Sequence, residues 1–226
     1  MKMTLRWFGK DDDVIPLEHI RQTPGVMGIV SALFDIPVGE VWPIGKIMEL
    51  KKEVNSKGLE LEVIESVNVH EDIKLGLPSR EKYIENYKQT LINLSQAGIK
   101  VVCYNFMPVF DWTRSDLAKE LSDGSTAFSY DNDIVSRIQP DKLADAMGEE
   151  TKNFSMPGWE PERLERLQVL FDKYKGVSEE DLFDNLGYFL KEIIPVAEKY
   201  DIKMAIHPDD PPWSIFGLPR IITTEE

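Results

Sequence analysis

The chain has 226 residues and a net charge of −14, with 42% hydrophobic and 29% charged residues. That length suits one sizeable α/β core, the balance argues against disorder, and an acidic chain with no basic stripe argues against a nucleic-acid partner. The opening MKMTLRWFGKDDD lacks an apolar signal core, no apolar run approaches the ~20 residues of a membrane span, and the lone Cys103 precludes an intramolecular disulfide, which together point to a cytoplasmic protein with no membrane partner.

Met3–Phe8 reads as a first strand, followed by Gly9 and an acidic turn at Asp11–Asp13 that is most simply a solvated cap. Pro16 suits the first turn of a short helix through Arg21. Val26–Leu33 is a near-continuous apolar run, the pattern of a strand covered on both faces. A helix then runs from near Pro43 to before Gly58, with Ile44, Ile47, Met48, Leu50 and Val54 as its apolar side. Leu59–Glu65 is a third strand. Ser79 is the expected N-cap of a helix carrying Tyr83, Tyr87, Leu91 and Leu94, stopped by Gly98, and Ile99–Phe106 is a fourth strand.

Repeated strand–helix units with glycine stops are the sequence form of βαβ structure. Neither GxGxxG nor GxxxxGK[ST] follows any strand, which favours a barrel over a doubly wound nucleotide-binding sheet. From Asp111 to Gly176 the pattern gives way to a polar, turn-rich stretch with helical segments near Ile134–Lys152 and Pro161–Lys175. It reads as an insertion, residues 111–176, in the fourth βα loop. Ser178 and Asp181 then form a capping-box-like start to a long helix striped with Leu182, Leu186, Phe189, Leu190, Ile193 and Ala197, in which Pro195 is expected to introduce a kink. Lys203–Ile206 is the fifth strand, leading into His207-Pro208-Asp209-Asp210-Pro211-Pro212. Twenty residues follow it, whereas one more βαβ crossover needs ~30. The expectation is an α/β chain holding about the first five βα units of a (β/α)8 TIM barrel, one partial domain over 1–226, whose natural gene product continues past Glu226.

Barrels place their chemistry at the carboxyl ends of strands. His207 sits there, with two carboxylates close behind, and imidazole suits Mn, Fe or Zn; a structural histidine at a strand end is the competing reading. Glu65 and Asn105 close strands three and four, and His70 lies in the loop after Glu65. Asp209 follows His207. Trp7 and Trp112 suit packing or pocket lining, and Trp42 packing. Cys103 lies within an apolar run and reads as a buried, inert thiol.

Several stretches then coincide with one pattern: Arg6-Trp7-Phe8-Gly9, Ile36-Pro37-Val38-Gly39-Glu40-Val41-Trp42, Val69-His70-Glu71-Asp72-Ile73-Lys74, Val102 to Arg114, Ala205 to Pro212, and Gly217-Leu218-Pro219-Arg220-Ile221. On these the chain resembles the mannonate dehydratase family of hexuronate and glucuronate degradation. The resemblance implies a xylose-isomerase-like TIM barrel, a lyase converting D-mannonate to 2-dehydro-3-deoxy-D-gluconate. It also implies a Mn(2+) or Fe(2+) ion held by histidines, a cysteine and an aspartate, with His207 matching the first ligand. Cys103 is not at the position of the liganding cysteine. Trp7, Glu65, His70, Asn105, Trp112 and Asp209 become candidates for the sugar-acid pocket, and the catalytic acid and base are expected beyond Glu226. A metal-dependent sugar isomerase or epimerase on the same barrel is the alternative activity. An inactive fragment is the alternative state, an acidic interaction module has little support, and a homodimer is conceivable through the insertion.

Overall fold

A computed structural model describes residues 2–137 and 167–224. The chain divides into two compact units, residues 1–106 with 183–207, and residues 107–182 with 208–226.

The first unit is built on a five-stranded parallel sheet. Its strands are β1 (Met3–Arg6), β2 (Val26–Ser31), β3 (Glu60–Glu65), β4 (Val101–Tyr104) and β7 (Lys203–Ile206), lying side by side in that order. Chain order and spatial order coincide, as successive βα units require. The connecting helices are α1 (Leu17–Gln22), α2 (Ile44–Ser56), the short α3 (Glu71–Lys74), α4 (Arg80–Gln96) and α7 (Glu179–Lys199). They cover one face of the sheet, where Ile29, Leu61, Ile64, Val102 and Tyr104 are buried. Phe189 of α7 joins the layers. Its ring meets Tyr87 of α4 edge-on at 5.0 Å, and Tyr104 and Phe106 at 5.9 Å each.

The other face is open among the described residues. Val30, Val63 and Val101 are paired in register and half-buried, forming an apolar band across β2, β3 and β4. Below it Gly28 leaves room for Thr4 and Glu62, since a Cβ there would lie 2.6 Å from Glu62 Cγ and 2.8 Å from Thr4 Cγ2. β2 is therefore not covered on both faces as its apolar run suggests: Ile29 is sealed under the helices, whereas Val30 on the opposite face is only half-buried.

Other local expectations shift for clear reasons. The stripe of α2 narrows to Ile47, Leu50 and Val54, and Ile44 and Met48 face solvent. Ser79 precedes α4 but adopts helical angles, so its hydroxyl cannot reach back to cap; it donates to the Asp72 carboxylate at 2.7 Å. At α7 the capping box forms: Ser178 N and Oγ donate to Asp181 Oδ2, and Asp181 N donates to Ser178 Oγ. The helix continues through Pro195 to Lys199, with Leu190 half-buried beside its buried stripe.

The second unit contains a hairpin absent from the sequence reading, β5 (Asp116–Glu120) paired antiparallel with β6 (Thr126–Ser129). Its turn is built by Asp123, whose Oδ1 accepts from Ser125 N and Oγ, and by Gly124 at φ 82°. Of the two helical segments expected here, the first begins differently, the short α5 (Asn132–Val135) ending in a turn at Ser136 and Arg137, and the second contains α6 (Leu167–Tyr174). The remainder of those segments lies outside the described residues. Phe110, Phe171 and Phe216 pack ring against ring at 6.0–6.3 Å. Just before them, Phe110 N donates to Pro108 O at 2.7 Å across Val109, a buried β-branched residue at φ 64°. This is a tight three-residue turn in a conformation that disfavours valine.

Phe189→Ala removes the ring that three aromatic neighbours share. It is expected to destabilise the first unit by about 3–5 kcal/mol, read as a lowered midpoint in urea unfolding followed by near-ultraviolet circular dichroism.

Candidate active site at the strand ends

The carboxyl ends of the five strands gather polar groups on the open face. Arg6 ends β1 and Glu65 ends β3; Arg6 Nη1 lies 2.8 Å from Glu65 Oε2, each side chain 29% exposed. Arg6 is in register with Val30, and Val30 with Val63, so the guanidinium reaches over β2 and one step up to Glu65. Glu65 is in register with Cys103 on β4, which sets the two side chains beside one another on the open face. Cys103 alternates with Val102 and Tyr104, which are buried on the helix side, so the thiol belongs to the open face. It is half-buried rather than buried. Desolvation first, then the negative charge of Glu65, push the thiol up to about 12. It therefore stays protonated through neutral pH, and a thiol is a far weaker nucleophile than a thiolate.

Trp7 follows β1. Its N–H donates to Val30 O at 2.9 Å, its carbonyl accepts from Ser31 Oγ at 2.7 Å, and its indole is buried with Nε1 unpartnered among the described residues. Asn105 follows β4 and is 7% exposed. His207 follows β7 and extends the ladder one step, its N–H donating to Tyr104 O at 2.7 Å. Strand alternation gives His207 the parity of Ala205, the register partner of Cys103, and gives Asn105 the parity of Cys103 itself. The imidazole is half-buried.

His70 is engaged in local structure. Its Nδ1 accepts from Asp72 N at 3.1 Å, capping α3, and its ring stacks on Tyr83 at 3.6 Å. Next to it Lys74, 2% exposed, is paired with Glu71 at 2.9 Å.

Trp112 and Asp209 belong to the second unit. Trp112 stacks on Phe128 of the hairpin at 5.6 Å, with the Arg114 guanidinium 5.3 Å from its ring centre. Asp209 is a buried backbone latch: Oδ2 accepts from Ile221 N at 2.7 Å and Ile222 N at 3.2 Å, and its own N–H donates to Ile222 O. Its neighbour Asp210 grips Arg114 through two hydrogen bonds of 2.8 and 2.6 Å. Arg6, Arg114 and Asp210 escape selection in the sequence because each is an ordinary surface charge until a partner is placed beside it. The signal that could have found Arg6 is its strand-end position on the parity opposite Leu5.

The donor chemistry of His207 fits a transition-metal ion in kind, but not in number. Among the described residues no group of three or more His, Cys, Asp or Glu side chains could hold one.

Parallel βα units in chain order, with their polar groups collected at the strand ends, define an α/β protein of the TIM-barrel type. The family model described as D-mannonate dehydratase (UxuA) matches residues 1–226, and the chain belongs to that family. The mannonate dehydratase of Geobacillus thermodenitrificans (strain NG80-2) is 65% identical over the whole chain, which covers 61% of that protein. The mannonate dehydratase of Thermotoga neapolitana is 62% identical, with 63% of its length covered. The crystal structure of mannonate dehydratase from Streptococcus suis serotype2 superposes with a TM-score of 0.84 at 50% identity, over 99% of this chain and 58% of that one. The chain thus spans about three fifths of the length of the curated relatives it matches.

Two outcomes follow from this geometry. Iodoacetamide at pH 8.5 should alkylate folded Cys103 far more slowly than the unfolded chain. Glu65→Gln removes the charge that opposes ionisation, so the thiol pKa falls and alkylation should quicken several-fold; an unchanged rate would contradict the pairing. Asp210→Ala breaks a half-buried bidentate pair and should destabilise the protein by about 1–3 kcal/mol, measured by chemical denaturation.

Proposed function

We propose that the chain supplies the first five βα units of a divalent-metal-dependent hydro-lyase. The enzyme would remove water from D-mannonate to give 2-dehydro-3-deoxy-D-gluconate in the cytoplasmic breakdown of hexuronates such as glucuronate. The observation that carries this reading is the family match over residues 1–226 on a sheet whose strand order suits one wall of a barrel. On the same reading residues 1–226 form part of a single barrel domain, and 111–176 are an insertion in its fourth βα loop. The partner is a small sugar acid, and assembly as a homodimer is compatible with it. No helix among the described residues is long and apolar enough to cross a membrane.

Dehydrating a 2,3-dihydroxy acid requires removal of a weakly acidic proton beside a carboxylate and departure of the neighbouring hydroxyl as water. The first step builds negative charge at the carboxylate end, so that end of the pocket must supply positive charge. In this proposal His207 is one ligand of a Mn(2+) or Fe(2+) ion, its other ligands coming from outside the described residues. Trp7, Glu65 and Asn105 line the same rim, Trp7 excluding water and Asn105 offering an amide to substrate hydroxyls. His70, Trp112 and Asp209, candidates for the pocket in sequence, act in this proposal through the local structure of their own loops.

The test is a chimera joining residues 1–226 to the remaining two fifths of the Geobacillus thermodenitrificans relative. Given D-mannonate and Mn(II), it should form a 2-keto-3-deoxy acid detectable with thiobarbiturate. Chelation should abolish turnover, and His207→Ala should lower metal affinity by about 10- to 100-fold or more. Absence of product, with the relative itself active, would overturn the proposal.

A further inference from the structure

We infer that Arg6 is the receptor for the carboxylate of the sugar-acid substrate, held in its working direction by Glu65. The inference rests on the sugar-acid reading above and goes beyond it in naming the group that selects acids over neutral polyols.

A chain at −14 repels anions, so an anionic substrate must meet a local cation where it docks. The last residues of the five strands are Arg6, Ser31, Glu65, Tyr104 and Ile206, and Arg6 alone among them is cationic. Its register with Val30 places it on the open face at the β1 end of the row formed by Val30, Val63 and Val101, so that its guanidinium borders an apolar band. A hydrophobic floor with a charged rim suits a ligand that is a carbon chain with an acid at one end.

The shape of the group is the second strand of the case. A guanidinium presents a planar fork of donors that matches a carboxylate, whereas an ammonium is a point charge. A long side chain on an edge strand would ordinarily wander. Here Glu65 fixes it at 2.8 Å across β2, and Glu65 itself is flanked in register by Cys103 of β4. Ordering the fork before substrate arrives removes part of the entropy lost on binding. The ion pair is 29% exposed at each partner, so it is reachable from the open face without being fully hydrated. Glu65 also sets a limit on what binds: a second anion must share the guanidinium with it, which favours a singly charged carboxylate over a phosphorylated sugar.

The experiment uses the 226-residue chain and three ligands, D-mannonate, neutral mannitol and mannose 6-phosphate, followed by saturation-transfer NMR and titration calorimetry. Mannonate should bind and the other two should bind at least several-fold more weakly. Arg6→Gln should weaken mannonate by about tenfold or more, the loss of one charged hydrogen-bonded contact, and leave mannitol unchanged. Arg6→Lys, which keeps the charge and the pairing with Glu65, should fall between them and guards against a folding defect in the glutamine variant. Mannonate binding equally well to Arg6→Gln overturns the inference. So does equal binding of mannitol, or no binding of mannonate by the unaltered chain. Failure of the chimera to dehydrate mannonate sinks the proposed activity. An active chimera whose Arg6→Gln variant keeps its KM sinks the assignment of Arg6 alone.

Discussion

The first unit depends on the burial of Phe189 against β4. β4 and β7 are neighbours in the sheet, yet about a hundred residues separate them in the chain. Closing so long a connection is entropically unfavourable and gives little in return until both ends are in place. Phe189 supplies that return. It sits on the helix leading into β7 and inserts among Tyr87, Tyr104 and Phe106. β7 can then take its register beside β4, and with it His207 takes its position one step past the strand.

Sealing one face of the sheet with helices leaves the opposite face to be organised by pairing rather than by packing. The valine band divides it. Below lie Thr4, Glu62 and the Lys2 cluster with Glu60 and Glu62, while Arg6 at the end of the band reaches up to Glu65, which is in register with Cys103. Lys2 lies against Glu60 and Glu62 and Arg6 against Glu65, so the charges of this face are grouped with opposite charges rather than left isolated.

The alternation of strands and helices is legible in the sequence because burial follows two periods, and because glycine and proline mark the junctions. β7 falls where its apolar run ends, and Ser178 with Asp181 form the box their spacing implies. What sequence leaves hidden is whatever depends on a distant partner. Ser79 has the chemistry of a cap and the wrong backbone angles. The hairpin carries an Asp-Gly turn, but its strands are mostly polar and give no apolar alternation to follow. His207 stands out as a rare residue at a strand end. Arg6 has a strand-end position that could mark it, but its pairing with Glu65 exists only once register has brought it over β2.

Val109 gives the stretch after Asn105 an unusual property. A β-branched residue bent through a reversed φ loses about 1–3 kcal/mol against a relaxed backbone, and full enclosure of its side chain holds it there. The corner therefore has no preference of its own for the heading it imposes. Its direction is imposed by the packing that encloses the Val109 side chain, as a spring is held compressed by the door that closes on it.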